Sequence, residues 1–421
     1  LSMKKYRLVC SVCGKPFERD TEPYVCESCG GLLEPEFDLA ANASHYREVI
    51  RGGCVSGVWD YRDLLPVEGV EAPVTLSEGN TPLLTASNLG PIVGVEQLFL
   101  KNETLNPSGT YKDRFATVAL SIEKARNTPA VALGSAGNAA NAMAAYSAKA
   151  GMPCFVILPP GAVAERGWQV RGYGANLIRM EHTIDDCISM AKQGEALFGW
   201  KSLTTNMLTN PLPSDGYKTV GYEIGKQLNF QMPDWIVVPV GGGALMNKIY
   251  KGCKDMLELG LIDKIPRFVG AQASGCAPLV DAYQKGLKNP EIWPGVPQTV
   301  AFAIADVCVY DGITSMDVLT KSGGCAEEAT DEEILEAMHL IASKEAVVAE
   351  PASACSVACA KKLVAKGVIQ PTDSVLCVLS GNGMRDLKLM EQGQKEVPFV
   401  KYRDVEAVKA AVNDYLNDSK D

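Results

Sequence analysis

Short apolar runs alternate with longer stretches of helical periodicity from residue 95 onward. The apolar runs predict strands at residues 97–100, 130–133, 154–158, 236–240 and 374–379. The stretches at residues 116–125 and 139–150 predict helices, the second of them rich in alanine. Because the strands are continuously apolar, they are expected to be buried on both faces, so the pattern predicts an α/β fold with a parallel sheet covered by helices.

The C-terminal segment has a different pattern. Residues 404–416 place Val405, Val408, Val412 and Tyr415 at helical spacing, which predicts a docked amphipathic helix. The sequence shows no internal repeat and no low-complexity segment. A length of 421 residues predicts two or three domains.

Composition narrows the class of protein. With 47% hydrophobic and 21% charged residues the chain has ample material for a core, and a net charge of -10 argues against nucleic acid as a partner. No apolar run is long enough to span a bilayer and no signal peptide is evident, so we expect no membrane partner and a cytoplasmic location.

Most of the fourteen cysteines lie singly in apolar stretches, as expected for buried thiols in a reducing compartment. Only three histidines occur, which argues against a Ser-His-Asp hydrolase or a histidine-rich metal site.

Two cysteine pairs stand near the N-terminus. Cys10 and Cys13 are followed after twelve residues by Cys26 and Cys29, and a glycine follows each pair. Two knuckles of this form can close a tetrahedral Zn²⁺ site with no open position, which indicates a structural zinc ribbon. The alternatives are four unrelated buried cysteines or a redox pair.

Three turns rich in small residues follow predicted strands. Residues 134–139 read Gly-Ser-Ala-Gly-Asn-Ala, residues 240–245 read Val-Gly-Gly-Gly-Ala-Leu and residues 379–384 read Leu-Ser-Gly-Asn-Gly-Met. Backbone N–H groups of such turns can approach an anion at a helix N-terminus, and the triple glycine can wrap a phosphate. Parallel sheets bind ligands at the carboxyl ends of their strands, where all three turns fall. Each turn taken alone is equally consistent with an ordinary helix cap.

Lys112 follows the turn Asn106-Pro107-Ser108-Gly109-Thr110-Tyr111 and precedes a predicted helix. A lysine in this position is most often a solvated surface residue. Beside a phosphate loop it can instead form a Schiff base with pyridoxal phosphate (PLP), which acts as an electron sink for amino-acid chemistry.

Taken together, these motifs resemble the fold-type II PLP enzymes, and within them the threonine synthase branch. The resemblance runs over nearly the whole chain and includes residues 29–34 (CGGLLE), 57–62 (GVWDYR), 77–84 (SEGNTPLL), 105–114 (LNPSGTYKDR), 233–240 (PDWIVVPV) and 350–354 (EPASA). It implies two open, mainly parallel sheets with helices on both faces, preceded by the small zinc ribbon. It also implies a homodimer or higher homo-oligomer.

The resemblance assigns roles to individual residues. Lys112 would be the Schiff-base lysine and the general base at Cα. Asn138 would contact the cofactor's ring oxygen and Ser380 its pyridine nitrogen. The phosphate would be held by the backbone of Gly241, Gly242, Gly243, Ala244 and Leu245. The substrate carboxylate would be received by Ser135, Ala136, Gly137 and Ala139, with Arg114, Arg166, Lys218 and Arg385 as candidates for binding a further anion of the substrate.

The ligand-facing turns differ from the usual family pattern. Residues 135–140 read Ser-Ala-Gly-Asn-Ala-Ala where threonine synthases usually carry Ser-Thr-Gly-Asn-Thr-Ser, and residues 380–386 read Ser-Gly-Asn-Gly-Met-Arg-Asp in place of Thr-Gly-His-Gly-Leu-Lys-Asp. The resemblance therefore implies a small phosphorylated amino-acid substrate, with conversion of O-phospho-L-homoserine and water to L-threonine and phosphate as the first expectation. A cysteate synthase that replaces the phosphate of O-phospho-L-serine with sulfite, a threonine/serine ammonia-lyase and a non-catalytic zinc-ribbon protein remain alternatives.

The motifs also predict domain boundaries. We expect a zinc ribbon at residues 1–38 and the first part of a large PLP domain at residues 39–100. A small substrate-side domain is expected at residues 101–215. The rest of the large domain would span residues 216–403, and a C-terminal helix residues 404–421.

Overall fold

The computed structural model describes residues 6–19, 21–53, 55–135, 137–159, 167–181, 183–392 and 396–418. The chain divides into two compact units, Leu1–Arg385 and Asp386–Asp421. The described strands are β1 (Tyr6–Cys10), β2 (Pro16–Phe17), β3 (Leu33–Phe37), β4 (Leu83–Thr85), β5 (Gln97–Asn102), β6 (Val131–Gly134), β7 (Cys154–Leu158), β8 (Asn176–Arg179), β9 (Lys201–Ser202), β10 (Trp235–Pro239), β11 (Arg267–Ala273), β12 (Cys325–Ala329) and β13 (Ser374–Leu379).

Helices connect these strands in the first unit. They are α1 (Ala43–Arg51), α2 (Gly90–Val93), α3 (Asp113–Ala125), α4 (Asn138–Ala150), α5 (Gly167–Gly172), α6 (Ile184–Phe198), α7 (Pro211–Ser214), α8 (Thr219–Gln227), α9 (Ala244–Glu258), α10 (Pro278–Lys285), α11 (Gly312–Ser322), α12 (Asp331–Glu345) and α13 (Pro351–Ala365). None of the described helices is both long enough and apolar enough to cross a lipid bilayer.

The described strands form three sheets. The largest has the order β12-β11-β10-β13-β5-β4, and all its neighbours are parallel except β4, which is antiparallel to β5. A four-stranded sheet of order β8-β7-β6-β9 is parallel throughout. The antiparallel sheet β2-β1-β3 lies at the N-terminus beside the four cysteines. The predicted α/β class with mainly parallel sheets is therefore confirmed.

The apolar pattern located β5, β6, β7, β10 and β13 and two of the helices that carry the site, and the structure shifts or extends several of them by one to three residues; β11 was not predicted. Strand β12 was not predicted, because its sequence Cys-Ala-Glu-Glu-Ala is too polar to read as a buried strand. It forms by parallel pairing with β11, and its buried Glu327 carboxylate is paired with Lys366. Pairing with β11 in the folded chain thus outweighed the weak strand propensity of these residues.

The core of the first unit lies between the sheets and the helices that cover them. Helix α13 shows this most clearly, because every residue from Pro351 to Ala360 is buried and the helix packs against β10 to β13. A helix that is apolar all round is expected only in such an interior position. It brings Glu350, the residue before its first turn, to the carboxyl end of the large sheet.

The sheets occupy distinct parts of the sequence. The N-terminal sheet uses residues 6–37, the four-stranded sheet residues 131–202, and the large sheet residues 83–102 together with 235–379. The domain boundaries given above stay a prediction. The second unit contains α14 (Leu387–Met390) and α15 (Val405–Asp418), so the C-terminal helix is present, and its docking stays a prediction.

Candidate active site

One cavity collects the three turns and Lys112 at the carboxyl ends of β6, β10 and β13. Of the residues predicted from the sequence to bind cofactor or substrate, those that line it are Lys112, Ser135, Gly137, Asn138, Ala139, Gly241, Gly242, Gly243, Ala244, Leu245 and Ser380. Strands β10 and β13 are neighbours in the large sheet, whereas β6 belongs to the four-stranded sheet. The cavity therefore lies where a parallel sheet is expected to bind a ligand.

The Lys112 turn is held against the turn that contains Ser380. The Tyr111 amide donates to the Ser380 carbonyl at 3.0 Å, and the Asn382 amide donates to the Gly109 carbonyl at 2.8 Å. Lys112 is half-buried at the start of α3, and its Nζ donates to Oγ1 of Thr205 at 2.8 Å. The lysine amine thus points into the cavity and not into solvent.

The glycine loop leads from β10 into α9. Gly243 has a φ of +101°, which L-residues rarely adopt, and a Cβ added there would lie 2.5 Å from Oγ of Ser315. A Cβ on Gly241 would lie 2.6 Å from Oδ2 of Asp306. Glycine is therefore required at position 243, and a side chain at position 241 would displace the Asp306 carboxylate.

The same loop offers its backbone to an anion. Its amides stand at the N-terminus of a 15-residue helix, where the helix dipole favours negative charge. The Gly242 N–H faces the Asp306 carboxylate and lowers the pKa of that group, so the loop stabilises an anionic oxygen. This donor set fits a cofactor phosphate.

Asn138, the first residue of α4, is oriented by groups from distant parts of the chain. Its Nδ2 lies 2.9 Å from each carboxylate oxygen of Glu350, and Nη1 of Arg385 donates to its Oδ1. The Ser380 hydroxyl lies 3.4 Å from Oε1 of Glu350 and 3.3 Å from Oγ of Ser353. Glu350 therefore joins the two side chains that were predicted to contact the cofactor ring.

Two acidic residues of the cavity were not assigned a role from the sequence. Glu350 belongs to the motif at residues 350–354, and Asp306 lies in an apolar stretch, residues 301–309, that carries no recognisable functional signal. Burial raises the pKa of Asp306 to about 6, although the positive charge of Lys112 opposes this shift. Nearby, the Tyr310 hydroxyl donates to Oδ1 of Asp185 at 2.5 Å.

Two predicted substrate residues are placed elsewhere. The Arg114 side chain is completely buried and donates to the carboxylates of Glu103 and Glu223 at 2.6–2.8 Å. Lys218 is also completely buried, with Nζ 2.9 Å from Oδ2 of Asp215. Neither residue lines the cavity, so the expectation that they bind the substrate is corrected: both are internal ion-pair partners. Ala136 and Arg166 lie outside the described residues.

The four N-terminal cysteines come together. Their sulfur atoms all lie within 4.8 Å of one another, with Cys10 and Cys29 at 3.4 Å and Cys13 and Cys26 at 3.8 Å. Four thiolates around one Zn²⁺ stand about 3.8 Å apart, given a Zn–S bond of about 2.3 Å in a tetrahedron. The backbone amides of Ser28 and Cys29 donate to the Cys26 sulfur. The cluster therefore fits a tetrahedral metal site.

Comparison with known proteins agrees with this geometry. The family described as "Pyridoxal-phosphate dependent enzyme" matches residues 74–381. Threonine synthase from Methanocaldococcus jannaschii is 39% identical over 378 residues, covering 90% of this chain and 92% of that protein. Threonine synthase from Methanosarcina acetivorans is 38% identical over 411 residues, covering 97% and 98%.

The fold is shared with a solved structure as well. The processed form of threonine deaminase isoform 2 from Solanum lycopersicum aligns with a TM-score of 0.64 at 19% identity, covering 89% of this chain and 96% of that chain. The chain therefore belongs to the family of pyridoxal-phosphate dependent enzymes. Within that family, identity over nearly the full length places it in the threonine synthase branch, among PLP-dependent lyases.

Proposed function

We propose that this enzyme converts O-phospho-L-homoserine and water to L-threonine and phosphate. The observation that carries the proposal is the single cavity in which the Lys112 amine faces the glycine loop and the Ser380 turn. The near full-length relatives named threonine synthase support the choice of reaction. PLP, when bound, supplies an electron sink that stabilises negative charge at Cα of the amino acid.

The residues of the cavity would have distinct roles in binding the cofactor. The amides of the glycine loop hold the cofactor phosphate, Asn138 orients the ring through its oxygen, and Ser380 contacts the pyridine nitrogen. A hydroxyl partner leaves that nitrogen largely unprotonated, whereas a carboxylate would protonate it.

Substrate binding and proton transfer would use other groups in the same cavity. Ser135, Gly137 and Ala139, at and just before the start of α4, bind the substrate carboxylate through backbone N–H groups, and the sequence resemblance adds Ala136 to this set. The Lys112 Nζ removes the proton from Cα. Tyr111 and Tyr217 flank this amine, with ring centres 4.7 and 5.7 Å from Nζ, and help to exclude water from it.

Among the side chains predicted to bind an additional anion, Arg385 contacts the cavity residue Asn138, although Arg385 does not itself line the cavity. Its guanidinium reaches Asn138, the Ser108 carbonyl and Oε1 of Gln169, so it stands at the cofactor end of the site. This position supports the phosphorylated substrate, because a guanidinium binds phosphate oxygens in a bidentate manner.

A second candidate is removal of an uncharged hydroxyl from threonine or serine. Lys112 is the only basic side chain among the described residues that line the cavity, whereas Asp306 and Glu350 both face it. A carboxylate repels the dianionic phosphate of a substrate, and in its protonated form Asp306 can donate a hydrogen bond to a leaving hydroxyl. Sulfite, the nucleophile of the cysteate synthase alternative, is also an anion and would meet the same repulsion.

The decisive experiment compares substrates side by side. Phosphate release is measured from O-phospho-L-homoserine and from O-phospho-L-serine, each with and without sulfite, and keto-acid formation is measured from L-threonine and L-serine. We expect phosphate release from phosphohomoserine, together with a visible cofactor absorbance band that Lys112→Ala abolishes. Release only from phosphoserine with sulfite, or keto acid as the sole product, would replace the proposed reaction. Survival of the band in Lys112→Ala would remove the assignment of Lys112.

We also propose a structural Zn²⁺ bound by Cys10, Cys13, Cys26 and Cys29, tested by metal analysis of freshly purified protein. One zinc per chain is expected, and Cys13→Ser should lower the zinc content. The homo-oligomeric state and the cytoplasmic location stay predictions from the sequence.

A further inference from the structure

Helix α11 packs directly against the glycine loop. The Asp311 amide, just before this helix, donates to the Gly242 carbonyl at 2.8 Å. Asn247 of α9 donates through Nδ2 to the Asp311 carbonyl at 3.2 Å. Ser315, one turn into α11, occupies the space that a side chain at Gly243 would need. The start of α11 thus sets the position of the loop that would bind the cofactor phosphate.

The opposite side of α11 contacts the four-cysteine module, which comprises residues 6–37. Oγ of Ser11 lies 2.8 Å from Oγ1 of Thr314, and Nζ of Lys321 donates to the Val12 carbonyl at 3.2 Å. Ser11 and Val12 stand between the ligands Cys10 and Cys13. In addition, the Ile313 side chain packs on Gly30, directly after Cys29. Both knuckles of the module therefore contact one helix.

A buried ion pair links the module to the loop by a second route. The Glu34 carboxylate of β3 lies 2.8 Å from Nζ of Lys248 on α9, the helix that begins at the glycine loop. Lys248 is completely buried and pairs also with Asp215 at 2.8 Å. Nζ of Lys251, one turn further along α9, donates to the Pro35 carbonyl. Since such charges are strongly destabilising when unpaired, these contacts resist separation of the module from α9.

We propose that the four-cysteine module acts as a metal-dependent support for the glycine loop. In this view Thr314 and Glu34 are positioning residues that act on the cofactor phosphate through α11 and α9. The described residues of the module form three short strands and a small apolar cluster of their own, so the metal supplies much of its folding energy. Metal binding at the cysteines therefore increases the affinity for PLP at a distant site. This inference adds a coupling between the two proposed sites and is independent of which substrate is converted.

The test measures the dissociation constant of PLP for the full-length enzyme, by titrating the cofactor-depleted protein and following visible absorbance. We expect Thr314→Ala to weaken PLP binding by about three- to tenfold, the loss of one hydrogen bond, with the zinc content unchanged. Thr314→Ser keeps the hydroxyl and should restore wild-type affinity. The matched control is Thr320→Ala on the same helix, because its hydroxyl donates to the Met316 carbonyl within the helix, one turn earlier. Its PLP affinity should not change.

The hydrogen bond between Ser11 and Thr314 gives a stricter test of the proposal. Ser11→Ala should weaken PLP binding as much as Thr314→Ala, and the double variant should be no weaker than either single one. Removal of zinc with a chelator should weaken PLP binding by about tenfold or more, and adding zinc back should restore it. A general loss of stability would not produce this pattern of rescue and non-additivity.

Three results would overturn the proposal. The first is a PLP dissociation constant that zinc removal leaves unchanged while circular dichroism shows that the protein is folded. The second is an equal loss of PLP affinity in Thr314→Ala and Thr320→Ala, and the third is a purified enzyme that contains no zinc. If threonine synthesis is absent but PLP affinity follows zinc content, the proposed reaction fails and the coupling stands.

Discussion

Replacing Arg114 with leucine separates an internal ion-pair role from the substrate-binding role that its sequence position suggests. The guanidinium donates to Glu103 through Nε at 2.7 Å and to Glu223 through Nη1 at 2.6 Å. All three side chains are at most 1% exposed. Leucine keeps the position apolar and removes the charge.

The expected loss of stability follows from the buried carboxylates that remain when the Arg114 guanidinium is removed. Nζ of Lys101 remains 2.7 Å from Glu223, so Glu103 loses most of its compensation. Removing one partner of a buried ion pair destabilises a protein by about 3–5 kcal/mol, and we expect Arg114→Leu to lower the free energy of unfolding by this amount.

The loss should depend on pH in a defined direction. Burial by itself raises the pKa of Glu103, and in the wild type the Arg114 guanidinium overcomes this and holds the pKa below its ordinary value. The wild-type pair therefore stabilises the fold above the unfolded pKa and loses this contribution as the pH falls through the lower folded value. In the variant burial prevails, the folded pKa lies above the unfolded one, and stability decreases as the pH rises. The deficit should therefore be larger at about pH 8 than at about pH 5.

Urea denaturation of the holoenzyme, followed by tryptophan fluorescence, measures the effect. Arg126→Leu is the control, because Arg126 is 57% exposed and its pair with Glu123 at 3.0 Å should contribute at most about 0.5 kcal/mol. The KM of the folded Arg114→Leu enzyme should change by less than about twofold, since the side chain does not reach the cavity. A destabilisation no larger than that of Arg126→Leu, or a large rise in KM with unchanged stability, would refute the ion-pair role.

Two further predictions concern the cavity. Gly243→Ala forces a side chain onto Ser315 at a positive φ, so PLP affinity should fall by about tenfold or more, whereas Gly260→Ala, at a positive φ with no close neighbour, should lower stability alone. Equal PLP affinities in the two variants would contradict this. The pKa of Asp306 is raised by burial to about 6, so its charge develops between about pH 5 and 7. Inorganic phosphate should therefore inhibit the wild type less well than Asp306→Asn as the pH rises through this range, and a constant ratio of inhibition constants would show that Asp306 does not repel the anion.

Much of the fold could be predicted from the sequence because the relevant information is local. A short, continuously apolar run such as residues 374–379 is typical of a buried parallel strand, and the structure has β13 at those residues. The glycine loop and the cysteine pairs are equally local, since their chemistry depends on residue type and spacing within a few positions. The four cysteine sulfurs do come together, and Lys112 does face the cavity.

Local pattern could not show how the buried charges are paired. Arg114 follows Lys112 by two residues, and only the folded chain shows that it turns away from the cavity towards Glu223, 109 residues later. Similarly, Glu350 reaches Asn138 across 212 residues, and Asp306 reaches the glycine loop from an otherwise apolar stretch of the chain.

The sequence by itself determined the α/β class, the candidate lysine, the candidate phosphate loop and the cysteine cluster, because those features follow from residue type and spacing along the chain. Tertiary structure decided which charged residues face the cavity and which are internal. A buried charge is stable only beside a compensating partner, and that partner comes from whichever distant strand or helix the fold brings next to it.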